Sequence, residues 1–226
     1  MKTAPPGGMM MRKVPPEVFR GFGPLVRQRT YTNPSSVVRW LFWRRLERLL
    51  LLPGKRSFNR VLDCGCGEGA LLPTLSNRFS EVWALDQDVQ GALRLVRQMN
   101  LPNVRLMRGD IYRLPYSDRT FDLVVTADVL EHLENLHGAL SEIHRVLKPG
   151  GTLLASFPSE NAMYQAGRWL FGFTKPRDHY HEPRAIERRL GERFRIVRRR
   201  RFPINMLDGI AVFILVQAAA MPMEGA

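Results

Sequence analysis

The sequence predicts an α/β fold in which a doubly wound, mostly parallel seven-stranded sheet carries helices on both faces. From Asn59 onward, short apolar runs of strand length alternate with segments of helical periodicity, which is the pattern of βαβ units. The first of these runs ends in a glycine-rich turn, a connection typical of open parallel sheets. Right-handed crossovers then place helices on both faces of the sheet.

The composition bounds the classes of protein that the chain can represent. Its 226 residues suit one domain with a modest extension, and 45% hydrophobic with 24% charged residues is ordinary for a globular protein. The net charge of +13 comes mostly from arginine, concentrated at 184–201, and indicates either a solvated surface or contact with phosphate, anionic membrane or an acidic partner. Only two cysteines occur, Cys64 and Cys66, which predicts a reducing compartment and a cytoplasmic protein.

Two segments precede the predicted domain. Residues 1–34 are rich in Met, Pro and Gly, and we expect a flexible arm there. Residues 35–58 are expected to form a cap, built on a helix that begins after Ser35 or Ser36 and runs to about Leu52. This basic, aromatic helix either packs on the sheet with its arginines reaching water, or lies on a membrane surface or covers a substrate pocket.

The domain at 59–226 is predicted to hold seven strands and the helices between them, with acceptor-pocket elements at about 159–194. Its longest apolar stretch, Gly209–Ala220, is shorter than the roughly 20 residues of a membrane-spanning helix and fits a buried strand. A loop rich in aromatics and histidine is expected at Gly172–Pro183, and a helix stop at Lys148–Gly151. The strands are expected at Arg60–Asp63, Glu81–Asp86, Val104–Asp110, Phe121–Asp128, Thr152–Phe157, Arg195–Phe202 and Ile210–Val216. The helices are expected at Ala70–Phe79, Val89–Met99, Leu136–Leu147, Asn161–Phe171 and Arg184–Arg193.

The strongest chemical signal is the glycine turn at Val61–Gly69, which reads V-L-D-C-G-C-G-E-G. Its glycines permit positive φ and let a ligand approach the backbone closely. The spacing departs from the dinucleotide-binding Gly-x-Gly-x-x-Gly because the third glycine comes one residue early. An acid, Asp63, precedes the turn and suits a ligand with a positive end better than a pyrophosphate. A nicotinamide dehydrogenase is therefore disfavoured.

Further residues emerge at the carboxyl ends of the next strands. Asp86 ends the second strand, 21 residues after Gly65, where a carboxylate can accept from both ribose hydroxyls of an adenosine; a strand-end turn residue is the alternative. At the end of the third strand, Asp110 can accept from an adenine amino group while Ile111 packs on the ring. Ala127 emerges from the fourth strand. All these positions share one sheet edge, where ligands of open α/β sheets collect.

Together these segments resemble the class I S-adenosylmethionine-dependent methyltransferases, in particular the broad group that includes the ubiquinone and menaquinone biosynthesis enzymes. The resemblance covers about Asn59–Pro158 and implies a Rossmann-like fold, S-adenosylmethionine as cofactor and methyl transfer. It says little about the acceptor, for which a small or lipid-like molecule is the first hypothesis. The matching segments are Val61–Gly69, Leu85-Asp86, Gly109-Asp110 with Leu114-Pro115, Phe121–Val125, Val129–Leu133 and Arg145–Gly151.

The resemblance also implies which residues hold the cofactor. The methionine end would lie against the first and fourth strands, the ribose at the end of the second and the adenine at the end of the third. Both thiols are interpreted as packing groups that flank the turn. The predicted cofactor-binding residues are Asp63, Cys64, Gly65, Gly67, Asp86, Gln87, Asp110, Ile111 and Ala127.

Histidines are the candidate catalytic residues. His132 would lie near the transferred methyl group and could serve as general base for a hydroxyl acceptor, or it could simply bond a neighbouring loop. In the segment 178–183, His179 and His181 could act as base or contact the acceptor, or could have a structural role. Because two histidines and an acid fall short of a full ligand set, no metal site is predicted.

Other functions stay open at this stage. The basic surface allows an RNA or other nucleic-acid methyltransferase, although the sequence carries no adenine-amino or carbon-5 methylation motif. A non-catalytic scaffold that binds S-adenosylmethionine is a third hypothesis, which the intact acids disfavour. Contact with an anionic membrane surface, through the basic helix and the arginine-rich C-terminal region, is also expected. The sequence does not determine the oligomeric state.

Overall fold

The computed structural model describes residues 11–19, 30–171, 178–205 and 211–222, and their fold is the predicted α/β class. A seven-stranded sheet has the order β3-β2-β1-β4-β5-β7-β6 and is parallel except for β7, which runs antiparallel to both neighbours. The strands are β1 (Arg60–Cys64), β2 (Glu81–Asp86), β3 (Val104–Arg108), β4 (Phe121–Ala127), β5 (Leu147–Pro158), β6 (Phe194–Phe202) and β7 (Phe213–Ala220). The helices are α1 (Ser36–Leu51), α2 (Leu72–Arg78), α3 (Gln90–Gln98), α4 (Leu136–Val146), α5 (Ala162–Leu170) and α6 (Pro183–Gly191), with a short 3-10 helix at Leu130–His132.

The central strands are apolar because helices cover both faces of the sheet. In β1 and β4 nearly every side chain is buried, as expected for interior parallel strands. Two hydrophobic clusters result, one on each face. Leu62, Val124 and Leu153 belong to the first, and Val61 and Leu123 to the second.

The last three strands differ in detail from their predicted bounds. Strand β5 begins at Leu147, so the Lys148–Gly151 segment, expected to be a helix stop, lies within an irregular start of the strand. Strand β7 ends at Ala220 rather than at Val216, because pairing with β5 and β6 continues to that point. Residues 206–210 lie outside the described part. Among the helices that are described, none has the length and apolar character needed to cross a membrane.

The segments before the domain pack on it where they are described. In the arm predicted at 1–34, residues 1–10 and 20–29 lie outside the described ranges. The piece at 11–19 packs on the domain, since its Val14 and Phe19 are buried in the second cluster. An expectation of flexibility is therefore wrong for that piece.

Helix α1 covers the sheet as a cap. Ser35 is its N-cap, accepting from the amide of Val38, and the helix packs on β5 and β7. The expectation that its arginines reach water is wrong for Arg45, which is 1% exposed. Helical periodicity places Arg45 on the same face as Leu49, four residues on, and this face is the one that α1 buries.

Candidate active site

The site lies where the strand order reverses. In the order β3-β2-β1-β4-β5, the connections leave β1 and β4 in opposite directions, which opens a crevice at the carboxyl ends of these two strands. Asp63 pairs with Val125 across this junction, so both strands deliver residues to the crevice at the same level. Asp63 and Ala127 both line the cavity found there.

The glycine turn is locked to the end of β2. The amides of Gly65 and Cys66 donate to the carbonyl of Leu85 at 2.8 and 3.0 Å, and the amide of Gly67 donates to Oδ2 of Asp86 at 2.7 Å. Gly65 has a φ of +82°, and a Cβ there would lie 2.4 Å from Cγ2 of Val129. Glycine at this position is thus required both by the backbone conformation and by the close approach.

Asp63 carries a buried carboxyl group whose surroundings oppose its ionisation. Only 2% of the residue is exposed. Burial, followed by the negative charge of Asp86, raises the pKa of the Asp63 carboxyl from 3.8 to about 7. Because both influences oppose ionisation, a cationic ligand group bound against Asp63 would relieve them. The site therefore fits a ligand with a positive end, such as the methionine ammonium of S-adenosylmethionine.

The other predicted cofactor residues follow along the same sheet edge, although they lie outside the lining of the cavity. Asp86 accepts from the amide of Asp88 as well as from the glycine turn. Gln87 is exposed, and its carbonyl accepts from Nε of Arg108 at 3.0 Å. Asp110 is exposed, while Ile111 is buried. The carboxylates thus continue from β1 past β2 to β3.

A cavity of about 450 Å³ extends from Asp63 and the glycine turn to a region lined by apolar side chains. The glycine turn and Asp63 form one part of its wall. Helices α1 and α5 form another part with apolar side chains, of which the main ones are Val37, Val38, Leu41, Phe42, Leu46, Met163, Tyr164 and Phe171. Such a volume and mixture of walls are typical of small-molecule sites.

A buried ion pair ties the cap to the cavity, and the sequence analysis missed it. The guanidinium of Arg45 bonds Asp128, which follows β4 and lines the cavity. It also lies 4.4 Å from the ring centroid of Phe213 and 5.2 Å from that of Phe42. The available signal was the position of Arg45 on the apolar face of its helix.

The structure brings two of the candidate histidines to the cavity wall. Nδ1 of His132 lies 2.9 Å from Oδ2 of Asp178, and Nδ1 of His179 lies 2.9 Å from Oε1 of Glu160. Both rings line the cavity. His181 does not line it, and its Nε2 is buried elsewhere. Of the two candidate histidines in this loop, the structure therefore places only His179 at the cavity.

The thiols occupy apolar surroundings. Cys64 is fully buried in the first core cluster and does not line the cavity, while Cys66 does. Burial raises the pKa of both thiols, which keeps them protonated and unreactive. This environment agrees with their interpretation as packing groups.

Comparison with known proteins finds a similar domain in the central part of the chain. Residues 62–155 match the family described as "Methyltransferase domain". This span contains the glycine turn and the carboxylates at the ends of β1, β2 and β3. The matched span is therefore similar to a methyltransferase domain.

Curated relatives share part of this chain. It is 34% identical over 137 residues to a probable S-adenosylmethionine-dependent methyltransferase of Mycolicibacterium smegmatis, covering 60% of this chain and 52% of that protein. It is 32% identical over 145 residues to a malonyl-[acyl-carrier protein] O-methyltransferase of a Marinomonas species, covering 63% and 53%. The chain thus spans about half the length of these two relatives.

Solved structures share the fold. A Pyrococcus horikoshii protein (PH0226) superposes with a TM-score of 0.68 at 22% identity, covering 90% of this chain and 98% of that one. The N-methyltransferase NodS of Bradyrhizobium japonicum, solved with S-adenosyl-L-homocysteine, gives a TM-score of 0.61 at 22% identity, covering 78% and 84%. At these identities the likeness concerns the fold alone.

Proposed function

We propose that the protein is an S-adenosylmethionine-dependent methyltransferase that transfers a methyl group by in-line displacement to a small or lipid-like acceptor. The observation that carries this proposal is a single cavity lined both by Asp63 with the glycine turn and by apolar side chains of α1 and α5. Its carboxylate side suits the charged end of the donor, and its apolar side suits a largely apolar acceptor.

The cofactor residues divide by the part of the ligand they would meet. Asp63 would accept from the methionine ammonium, with the backbone of Gly65, Gly67 and Ala127 close to the methionine. Asp86, held beside the glycine turn by the 2.7 Å bond from Gly67, is oriented to accept from the ribose. Asp110 and Ile111, with Gln87, would surround the adenine side.

The chain would promote transfer by positioning and by excluding water. S-adenosylmethionine supplies a methyl group that its sulfonium makes electrophilic. The apolar side chains of α1 and α5 keep the reacting atoms in a dry environment and restrict the acceptor to one face. For a hydroxyl acceptor, His132, which Asp178 orients through Nδ1, is the first candidate to take the proton. His179, oriented by Glu160, is the second candidate for this step.

Two observations favour oxygen as the acceptor atom. The histidine–carboxylate pairs are suited to hydroxyl chemistry, whereas an amine that is already neutral needs no base. Relatives from Marinomonas and Serratia marcescens are named malonyl-[acyl-carrier protein] O-methyltransferases. Their name places the methyl group on an oxygen, which agrees with oxygen as the acceptor atom.

The acceptor class can be tested by product analysis. A cell extract, separated into lipid and aqueous fractions, is incubated with the protein and methyl-labelled S-adenosylmethionine, and labelled products are identified by mass spectrometry. We expect label in one apolar product carrying an O-methyl group. The Asp63→Asn variant should lose it, while Asp88→Asn, an exposed carboxylate on a neighbouring loop, should retain it. Label confined to nucleic acid or protein would contradict the proposal.

We also propose that the cavity opening meets an anionic membrane surface. Val37, Met163 and Phe171 line the cavity and are exposed, and Trp169, on the same helix as Met163, is 83% exposed. Exposed apolar groups at the mouth of an apolar site, on a chain of net charge +13, suit delivery of a lipid-like acceptor.

Vesicle co-sedimentation tests this contact. Binding to vesicles rich in phosphatidylglycerol should fall several-fold in Trp169→Ser and at high salt, whereas Ile196→Ser on β6 provides a matched exposed control away from the cavity. Equal binding by both variants, or none by the unmodified protein, would dispose of the contact.

A nucleic-acid acceptor is the weaker alternative. The basic edge strand β6 favours it, but several of its arginines are engaged within the protein. Nε of Arg199 bonds Glu187 at 2.6 Å, and Arg198 donates to the carbonyl of Leu52. Steep loss of RNA affinity with salt together with methylation of RNA would favour this alternative.

A further inference from the structure

Three ligand-type side chains converge on the acceptor side of the cavity. Glu131, His132 and His179 each offer one donor atom, and these atoms all lie within 4.8 Å of one another. The first two belong to the 3-10 helix, and the third lies 47 residues further on. The amide of Tyr180 donates to the carbonyl of Glu131 at 2.8 Å, which holds the loop against that helix. All three side chains line the cavity.

Both histidines carry the supporting bonds that metal-ligating histidines usually have. Nδ1 of His132 is bonded to Asp178 and Nδ1 of His179 to Glu160, each at 2.9 Å. In metal sites, a carboxylate bonded to one ring nitrogen fixes the orientation of the ring that ligates the metal. A single general base would need only one histidine–carboxylate pair, whereas this cavity wall holds two such pairs with their rings in contact.

The three side chains are close enough to share one ion. The imidazole centroids of His132 and His179 are 4.7 Å apart. Glu131 is 2% exposed and adds a carboxylate beside them. One divalent ion can therefore bind the carboxylate and both rings at once.

We propose that Glu131, His132 and His179 bind a divalent transition metal ion, with zinc the best fit to two imidazoles and one carboxylate. Three protein ligands leave a fourth position that faces the cavity. This inference rests on the proposed function, because the open position would receive an oxygen atom of the acceptor. It also departs from the prediction of no metal, which counted the loop histidines without Glu131.

The chemical consequence is activation of a hydroxyl acceptor. An oxygen bound at the open position loses its proton to solvent at lower pH, as water does on catalytic zinc. Its lone pair then forms the bond to the methyl carbon, and the electrons of the breaking S–C bond stay on sulfur. Under this inference His132 and His179 act as ligands rather than as free bases.

Metal binding can be measured without knowing the acceptor. The full chain, stripped with a chelator, is titrated with Zn²⁺ by calorimetry and with Co²⁺ while visible absorption is followed. We expect one ion per chain with a Kd in the micromolar range or tighter, and Co²⁺ bands typical of four- or five-coordination. His179→Gln and Glu131→Gln should each weaken binding by about 100-fold or more, and Asp178→Asn, which only orients His132, by about 10-fold.

Controls separate this inference from the proposed function. His137→Gln alters an exposed histidine paired with Glu192 and should bind zinc like the unmodified chain. Binding of S-adenosylmethionine, measured in parallel, should survive in His179→Gln and shows that the variant is folded. If the chain binds metal but does not bind S-adenosylmethionine, the proposed function is contradicted and the metal site is retained. Absent metal binding, or binding unchanged in both ligand variants, would overturn the metal site.

Discussion

Replacing Asp63 by asparagine is expected to stabilise the ligand-free protein at alkaline pH. In the folded chain, burial and Asp86 raise the pKa of the Asp63 carboxyl from 3.8 to about 7. Between these two values the unfolded chain is ionised while the folded chain keeps its proton, so the free energy of unfolding falls as the pH rises. Asparagine stays neutral at every pH and removes this dependence.

The magnitude follows from the pKa difference. The ionisation penalty in the unmodified chain is about 2 kcal/mol at pH 5 and about 4 kcal/mol at pH 8, because one pKa unit corresponds to about 1.4 kcal/mol. The stability advantage of Asp63→Asn should therefore grow by about 2–3 kcal/mol between pH 5 and pH 8. In a chain of this size that difference corresponds to about 5–10 °C in Tm.

Urea unfolding, followed by tryptophan fluorescence at both pH values, measures this growth. The exposed-carboxylate variant Asp88→Asn should run parallel to the unmodified chain. Calorimetry at pH 8 should show that Asp63→Asn binds S-adenosylmethionine about 10-fold or more weakly, since a buried charge-assisted contact is lost. A difference in stability between Asp63→Asn and the unmodified chain that stays constant from pH 5 to pH 8 would refute the reasoning.

Three further substitutions test other parts of the site. Asp86→Ala removes the acceptor of a glycine-turn amide and of the proposed ribose contacts, and calorimetry should show a Kd for S-adenosylmethionine about 100-fold higher; an unchanged Kd would exclude a ribose contact. Arg45→Met leaves Asp128 beside the cavity without its cation. The free energy of unfolding in urea should fall by about 3 kcal/mol, and adding Asp128→Asn should recover most of this loss. No recovery in the double variant would contradict the pairing. Gly65→Ala places a Cβ 2.4 Å from Val129 at a position of positive φ. The free energy of unfolding should fall by about 3 kcal/mol, and Val129→Ala should restore only the part that is due to the steric contact. A Gly65→Ala protein as stable as the unmodified chain would show that the turn can rearrange.

The sequence by itself determined the sheet and its carboxylate edge. Apolar runs of strand length and the helices between them obey local periodicity, and parallel connections put every strand's carboxyl end on one side. Asp63, Asp86 and Asp110 were therefore assigned to one edge without coordinates. The glycine turn was readable because backbone conformation and close ligand approach demand particular residues at fixed spacing.

Only the tertiary structure decided which side chains meet in the cavity beyond the glycine turn. Arg45 bonds Asp128, which lies 83 positions further along the sequence. His179 lies near Glu131 and His132, but it belongs to a loop, and a loop has no periodic pattern that predicts which residue faces inward. Such contacts depend on how helices and loops pack on the finished sheet. Packing is set by side-chain shape over long sequence separations, whereas strands and turns follow from neighbouring residues.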